Sequence, residues 1–145
     1  MDTNVLLLLI VGSLREDYIG KKAHFRNFDL DDFRLVARIA SEATSHISTP
    51  NVLTEASNFL GSGHQQIVSG AVAEFAKYVA VLQEFYLPSM DIVTSLEFNA
   101  LGLTDAGILR LADDRTCVVS VDFHLCNRLE GKGVKVINPR NARSV

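Results

Sequence analysis

Apolar residues along the chain alternate between helical spacing and short extended runs. The run from Val5 to Val11 contains only apolar residues and follows Asp2-Thr3-Asn4, three residue types that cap helices well. This pattern predicts a buried helix that extends to Leu14. The polar segment after it, residues 15–30, has no regular apolar spacing and predicts a broken, exposed connection.

Further helices are predicted where apolar residues recur at intervals of three and four positions. Their extents are about 33–40, 50–60, 65–84, 104–112 and 122–130. Thr49-Pro50 provides an N-cap and a first-turn proline for the helix at 50–60, and Gly61 ends it. No element is predicted for residues 86–103. The stripe in 65–84 belongs either to the core or to a homodimer interface, and it consists of Ile67, Val68, Ala71, Val72, Phe75, Tyr78, Val79 and Leu82.

Short strands are predicted at 46–48, 116–120 and 134–137. Because strands alternate with helices, we expect an α/β fold, a three-layer α/β/α sandwich around a short central parallel sheet. Residues 1–139 are predicted to form a single domain, followed by a C-terminal tail at 140–145. In such sheets, functional sites form at the carboxyl ends of the strands.

Composition and charge narrow the possible classes of protein. Hydrophobic residues make up 48% and charged residues 21% of the 145 residues, which argues against disorder. The net charge of −3 argues against nucleic-acid binding through bulk positive charge. The longest apolar run is too short to cross a bilayer, so we expect no membrane association. The two cysteines suggest neither a disulfide framework nor a zinc site, and this favours a cytoplasmic location.

Four of the 17 acidic residues lie on or beside apolar stripes, where a solvated carboxylate is not expected. Asp2, Asp105 and Asp122 each head the buried stripe of a predicted helix. Glu55 lies in the middle of a helix, on the margin of its apolar face. Capping explains the three aspartates, each stabilised by about 0.3–1 kcal/mol at a helix N-terminus, but it does not explain Glu55. Periodicity alone therefore identifies these four acids as candidate site residues, but it does not decide between helix capping and membership of one common site.

If the four carboxylates meet in one pocket, two of them about 5 Å apart repel by roughly 3 kcal/mol at an effective dielectric of about 20. A divalent cation removes this repulsion. Oxygen ligands without Cys or His suit Mg²⁺ or Mn²⁺, and these ions usually assist phosphate chemistry. On this hypothesis the cofactor is Mg²⁺ or Mn²⁺.

At these residues the chain resembles the PIN-domain nuclease family. The family pattern is an Asp-x-Asn near the N-terminus, a Glu on an early helix, an Asp opening a late helix and a final Asp after a strand. The matching stretches are Asp2-Thr3-Asn4, Glu55 within PNVLTEAS (50–57), Asp105 within LGLTDA (101–106) and Asp122 within VVSVD (118–122). The likeness runs from Asp2 to about Pro139. The family usually has a hydrophobic strand before its first Asp, whereas only Met1 precedes Asp2, so we expect that strand to be almost missing.

The resemblance implies a Mg²⁺- or Mn²⁺-dependent ribonuclease in which water attacks in line and leaves a 5′-phosphate and a 3′-hydroxyl. It implies catalytic and metal-binding roles for the four acids. It also implies accessory roles for Asn4 and Ser120, which orient the acids or the scissile phosphate. Many relatives carry Thr where this chain has Ser120, a change that keeps the hydroxyl. Many small stand-alone members are toxins of bacterial toxin–antitoxin pairs, so an antitoxin protein is an implied partner.

Two other functions stay open: a nuclease of the same fold that acts on structured DNA, and a catalytically silent binding module for protein or RNA. The presence of all four acids argues against the silent module. A basic cluster, Lys21, Lys22, His24 and Arg26, either grips a phosphate backbone beside the acids or forms a solvated loop. A solvated loop is the commoner outcome for so short a cluster.

Overall fold

A computed structural model describes residues 1–141 of the chain. The helices of this part are α1 (Thr3–Leu14), α2 (Leu30–Glu42), α3 (Pro50–Leu60), α4 (Ala71–Val81), α5 (Ser89–Val93), α6 (Phe98–Leu111) and α7 (Phe123–Gly131). The strands are β1 (Ile47–Ser48), β2 (Gln83–Glu84), β3 (Cys117–Val119) and β4 (Lys135–Ile137). Short 3-10 turns occupy residues 16–18 and 23–25 between α1 and α2. The protein is therefore a mixed α/β protein with parallel strands, as predicted.

Helix α1 lies at the centre of the core, as its uninterrupted apolar run predicts. Val5, Leu8 and Val11 have no measurable exposure, and the helix contacts α2, α3 and α4. Gly12 lets α1 approach α2 closely, because a Cβ at this position would lie 2.5 Å from the Phe33 ring. The apolar contacts around α1 join one continuous hydrophobic cluster that extends to α6, α7 and β3.

The strands form two separate sheets in the part of the chain that the structure describes. Strand β1 pairs in parallel with β2, and β3 pairs in parallel with β4. The prediction of a single central sheet is not met by these residues, and β2 was not predicted at all. On the side of β3 away from β4, Asp2 N–H donates to the Val119 carbonyl at 3.1 Å.

Helix α4 is shorter than the predicted 65–84 helix at both ends. Gly70 precedes it with φ of 88°, a left-handed conformation that ends the helical path at this point. The Gln66 side chain accepts a hydrogen bond from Val72 N at 3.0 Å, which satisfies one amide at the start of the helix. The apolar stripe packs mainly on the core, with Val68 and Ala71 buried and Val72 left 41% exposed. The apolar spacing continues into the loop before α4, and the length of the helix was therefore overestimated.

Residues 86–103, for which no element was predicted, contain α5 and the first part of α6. Gly102 interrupts α6 with non-helical backbone angles, φ 76° and ψ 178°. The predicted helix at 104–112 corresponds to the part of α6 beyond this interruption. Its apolar stripe is buried as predicted, with Ile108 and Leu109 each 8% exposed and Ala112 2% exposed.

The remaining predictions on element type and burial can be compared directly with the structure. Helices α2, α3 and α7 lie within a few residues of their predicted extents, and α2 begins with a capping box between Asp29 and Asp32. Cys126 is buried and Cys117 is exposed, and both are free thiols. Among residues 1–141, no helix has the length and the apolar character needed to cross a bilayer. The predicted tail begins at Arg140, whose guanidinium lies 4.8 Å from the centre of the Phe28 ring.

Candidate functional site

The predicted acids come from four different elements of the core. Asp2 precedes α1, Glu55 lies in the middle of α3, Asp105 lies in α6 beyond its interruption, and Asp122 precedes α7. Asp2 and Asp122 also flank the carboxyl end of β3. The carboxyl end of a parallel strand is the usual position for a site in an α/β protein.

Asp2 is held rigidly at the start of α1. It is 3% exposed, and its Oδ1 accepts a hydrogen bond from Val5 N at 2.8 Å, which makes it the N-cap of the helix. Its Oδ2 accepts from the Ser120 hydroxyl and from Val121 N, the latter at 3.2 Å. Capping and site formation are therefore not alternatives for Asp2, because one carboxylate oxygen serves the helix and the other faces the end of β3.

Ser120 connects two of the acids. Its hydroxyl donates to Asp2 and accepts from the backbone N–H of Asp122 at 3.1 Å, and the residue has no exposed surface. Asp122 in turn caps α7 by accepting from Leu125 N at 2.8 Å through Oδ1. The buried hydroxyl thus fixes the relative positions of the segments that carry Asp2 and Asp122.

Glu55 is oriented by two threonines that the sequence analysis did not single out. The Thr3 hydroxyl donates to Glu55 Oε2 at 2.9 Å, and the Thr104 hydroxyl donates to Oε1 at 2.5 Å. Each threonine is the chain neighbour of another predicted acid, Asp2 or Asp105. That adjacency was the available signal, and it was missed because Thr3 was considered only as a helix-capping residue and Thr104 only as part of the stretch around Asp105.

Asp105 is the acid whose ionisation is affected by the charges of the other three. Burial, the largest cause, and the negative charges of Asp2, Asp122 and Glu55 together raise the pKa of its carboxyl group to about 7. These three are the other predicted site residues, and they converge on Asp105 from separate elements. A carboxylate in such surroundings gains stability from a proton or from a cation.

The chemistry of this group of acids suits a hard divalent cation, since all of its ligands are carboxylate oxygens. Within residues 1–141, however, no three Asp, Glu, His or Cys side chains already stand close enough to hold one ion together. Both carboxylate oxygens of Asp2 and of Glu55 instead accept hydrogen bonds from the protein. The residue types fit a Mg²⁺ or Mn²⁺ site, and the carboxylates need to move closer together to complete it.

The remaining predicted residues lie at the edge of this group or outside it. Asn4 is exposed in the first turn of α1, and its side chain makes no hydrogen bond to any of the four acids among the described residues. In the basic cluster, Lys21, Lys22 and Arg26 are exposed, and the Lys22 ammonium lies 4.9 Å from the centre of the Tyr18 ring.

His24 joins the basic cluster to the helix that carries Glu55. Its ring lies 4.0 Å from that of Phe59, measured between centroids, and partial burial lowers its pKa. Phe59 follows Glu55 by four positions on α3, so the two side chains share one face of that helix. The basic cluster is therefore anchored one helical turn from the acidic group.

A cavity lies beside the four acids, and none of them lines it. It is a cavity of about 600 Å³ between β1 and β3, lined by Val52, Ile108 and Val119 among others. Asp2 and Asp122 lie instead at the nearby carboxyl end of β3.

Comparison of the chain with protein-family models, with curated proteins and with solved structures finds no match. The function of the protein is accordingly inferred from the chemistry of its own residues.

Proposed function

We propose that the protein is a metal-dependent endoribonuclease that hydrolyses RNA phosphodiester bonds at the group formed by Asp2, Glu55, Asp105 and Asp122. The proposal includes a cytoplasmic location and a PIN-like three-layer arrangement, in which the two short sheets correspond to parts of one central sheet. The observation that carries it is the set of hydrogen bonds through which the acids converge. Ser120 bonds Asp2 and the backbone of Asp122, and Glu55 accepts from Thr3 and Thr104, the chain neighbours of Asp2 and Asp105. The raised pKa of the Asp105 carboxyl group agrees with this convergence.

The convergence brings negative charges close together and so destabilises the folded protein. A purely structural role for the acids does not explain why such an arrangement exists. Like charges in a partly desolvated group disfavour the ionised state, and a fold selected only for stability gains nothing from them. Asp2 and Asp122 contribute as helix caps, but Asp105 accepts no hydrogen bond that would stabilise its charge among the described contacts. Perturbed carboxylates of this kind are typical of functional sites.

The four acids share one task in this proposal. Asp105 and Asp122, together with Asp2 and Glu55, hold the Mg²⁺ or Mn²⁺ ion. When bound, the ion lowers the pKa of a coordinated water and offsets charge on the attacked phosphate.

Three hydroxyls position the acids for that task. Ser120 keeps Asp2 directed towards the end of β3. Thr3 and Thr104 hold the two oxygens of Glu55 and so keep it directed towards α1 and α6. In the proposed enzyme, these bonds limit the rotation of the acids before substrate arrives.

The basic cluster is proposed to bind the RNA backbone. Lys21, Lys22 and Arg26 are exposed, so their charges are available to phosphates. The contact of His24 with Phe59 connects this loop to the helix of Glu55, and a strand of RNA bound at the cluster can therefore reach the acids.

We further propose that a protein partner, an antitoxin or a second copy of the chain, covers the exposed apolar side chains near the end of α4 and around α5. Tyr86 is 76% exposed, Met90 71% and Leu96 90%, values unusual for large apolar residues grouped within one segment.

The decisive experiment incubates the purified chain with labelled single-stranded RNA, single-stranded DNA and structured DNA, each with Mg²⁺, Mn²⁺ or EDTA. We expect RNA cleavage with either metal and none with EDTA. Asp105→Asn and Asp122→Asn should each reduce the cleavage rate by about a hundredfold or more, since each removes a ligand charge. The matched control is Asp114→Asn, an exposed acid outside the group, which should retain full activity.

The possible outcomes distinguish the functions. Cleavage that survives EDTA, or that persists in both Asp105→Asn and Asp122→Asn, contradicts the proposal. Cleavage of structured DNA alone assigns the protein to the DNA nucleases. RNA binding without any cleavage, unchanged by Asp105→Asn, identifies a silent binding module.

A further inference from the structure

Helix α7 carries one large apolar side chain outside its buried stripe. The stripe consists of Leu125, Cys126 and Leu129, which pack on the core. The other residues of the helix are exposed, and all of them are polar or glycine except Phe123, which is 70% exposed. Single exposed apolar residues are common in folded proteins, so the exposure of Phe123 alone assigns no function to it.

The position of Phe123 in the chain places it beside the acidic group. It directly follows Asp122, and the Cα atoms of such neighbours are about 3.8 Å apart across a trans peptide bond. The backbone here is fixed on both sides, because Asp122 Oδ1 accepts from Leu125 N at 2.8 Å and Asp122 N donates to the Ser120 hydroxyl at 3.1 Å. The exposed ring is therefore attached to a rigid segment that also carries one of the four acids.

The surroundings of the Phe123 ring leave room for a flat partner. The ring meets the His124 imidazole in an edge-to-face arrangement, with centroids 5.8 Å apart and planes inclined at 74°. This is its one ring contact among residues 1–141. A single neighbouring ring covers one face of a phenyl group at most, so at least one face of Phe123 has no aromatic partner.

The charges at this end of α7 determine which kind of contact can hold RNA there. The neighbouring carboxylates repel phosphates, the first turn of α7 contains no Lys or Arg, and the whole chain carries a net charge of −3. Apart from a bound cation, affinity for RNA beside the acids must therefore come from a contact that needs no positive charge. Stacking of a nucleobase on an aromatic ring is such a contact.

The chemistry of RNA determines which part of it can meet the ring. Phosphate and ribose are polar, whereas the faces of a base are flat and suited to stacking on an aromatic side chain. In a duplex, both faces of a base are covered by its stacked neighbours. Only an unpaired base, in a single strand, a loop or a bulge, can turn a face towards a protein side chain.

We propose that Phe123 stacks on an unpaired nucleobase of the RNA, next to the phosphate that is hydrolysed at the four acids. Phe123 is then a substrate-positioning residue, and the substrate is RNA that is single-stranded at the cleavage site. The inference rests on the proposed nuclease function and specifies its substrate. Because every base has a flat face, the contact selects unpaired RNA without selecting a sequence.

The binding test compares two labelled probes of about 12 nucleotides, a single-stranded RNA and a ribose–phosphate chain of the same length without bases. Anisotropy titrations use the full chain with Asp105→Asn and Mg²⁺, so that the RNA is not cleaved. Adding Phe123→Ala should weaken RNA binding by about tenfold and leave binding of the base-free probe unchanged. Phe123→Trp should keep the RNA affinity, whereas Phe123→Leu, which stays apolar but cannot stack, should weaken it as Phe123→Ala does.

Cleavage kinetics with the four acids intact provide a second readout. Phe123→Ala should raise KM about tenfold and change kcat by less than about twofold, because stacking is equally strong before and during hydrolysis. The matched control is Leu30→Ala. Leu30 is also an exposed apolar residue in the first position of a helix, α2, and it also follows an aspartate N-cap, Asp29. This variant should leave KM and kcat unchanged.

The outcomes separate this inference from the proposed function. Normal RNA affinity in Phe123→Ala overturns the stacking contact, and so does an equal loss for both probes or full affinity in Phe123→Leu. If RNA is cleaved with native KM by Phe123→Ala, the stacking inference fails and the nuclease function stands. If no RNA is cleaved but Phe123→Ala weakens only the probe with bases, the nuclease function fails and the stacking contact stands.

Discussion

Asp105 combines partial burial with three neighbouring carboxylates, and its carboxyl pKa of about 7 lies well above the ordinary value of 3.8. The folded state therefore retains a proton that the unfolded chain releases between these two values. In metal-free protein, the free energy of unfolding should fall as pH rises from about 4 to about 7, and the loss should be complete above that window. Urea unfolding in EDTA across this range measures the effect.

Asp105→Asn should remove most of this pH dependence, because the amide does not ionise. At about pH 8 the variant should be more stable than the native protein, and near pH 4 the two should be similar. Asp114→Asn serves as the control and should keep the native pH profile. An unchanged slope in Asp105→Asn would contradict the electrostatic role of this residue.

Thr104 is the second residue whose role can be measured alone. Thr104→Val removes the hydroxyl that bonds Glu55 Oε1 and should lower the RNA cleavage rate by about fivefold, the equivalent of about 1 kcal/mol for one hydrogen bond. Thr104→Ser should recover the native rate. Thr94→Val, which changes a hydroxyl bonded to the Asp91 carbonyl in α5, is the control. Equal rates for Thr104→Val and native protein would show that Glu55 needs no such support.

At the scale of elements, the contact between α1 and α2 depends on the absence of a side chain at Gly12. A Cβ there would lie 2.5 Å from the Phe33 ring, and Phe33 is only 7% exposed, so the ring has little room to move. Gly12→Ala should destabilise the protein by about 1–3 kcal/mol, even though alanine favours helices by up to about 1 kcal/mol.

Chemical denaturation of Gly12→Ala should be compared with that of Gly131→Ala. Gly131 also lies in a helix, but nothing stands within 4 Å of a Cβ at that position. The Gly131 variant should therefore be neutral or slightly more stable. Equal stability of the two variants would contradict this prediction, because it would mean that α1 and α2 can move apart without lowering the free energy of unfolding.

Element types followed from the sequence where local signals agreed. Helix α3 has Thr49 and Pro50 at its start and Gly61 at its end, and its predicted extent matches the structure. Helix α4 lacks such signals, because its start depends on the conformation of Gly70 and on a side chain from Gln66. Strand β2 has only two residues and is defined by its pairing with β1, so no local pattern reveals it.

At the scale of the whole molecule, a net charge of −3 leaves RNA binding to a few local cations. Changing Lys21, Lys22 and Arg26 together to Gln should weaken binding of single-stranded RNA and reduce the slope of log affinity against log salt by about 2. Anisotropy titrations of the Asp105→Asn protein at several salt concentrations measure this without cleavage.

The matched triple variant changes Arg38, Lys77 and Lys135, exposed cations elsewhere on the chain, to Gln. It removes the same charge and should leave most of the salt slope in place. A similar loss in both variants would indicate that net charge alone, and not the basic cluster, attracts the RNA.

The sequence by itself determined the α/β class, the central buried helix α1 and the four acids as candidates, because caps and apolar periodicity are local signals. Only the tertiary structure decided that Asp2, Glu55 and Asp122 converge on Asp105. It also decided that Thr3 and Thr104, which lie 52 and 49 positions from Glu55 in the chain, hold its carboxylate. The division into two sheets and the cavity between them likewise depend on how distant segments pack, which no local pattern specifies.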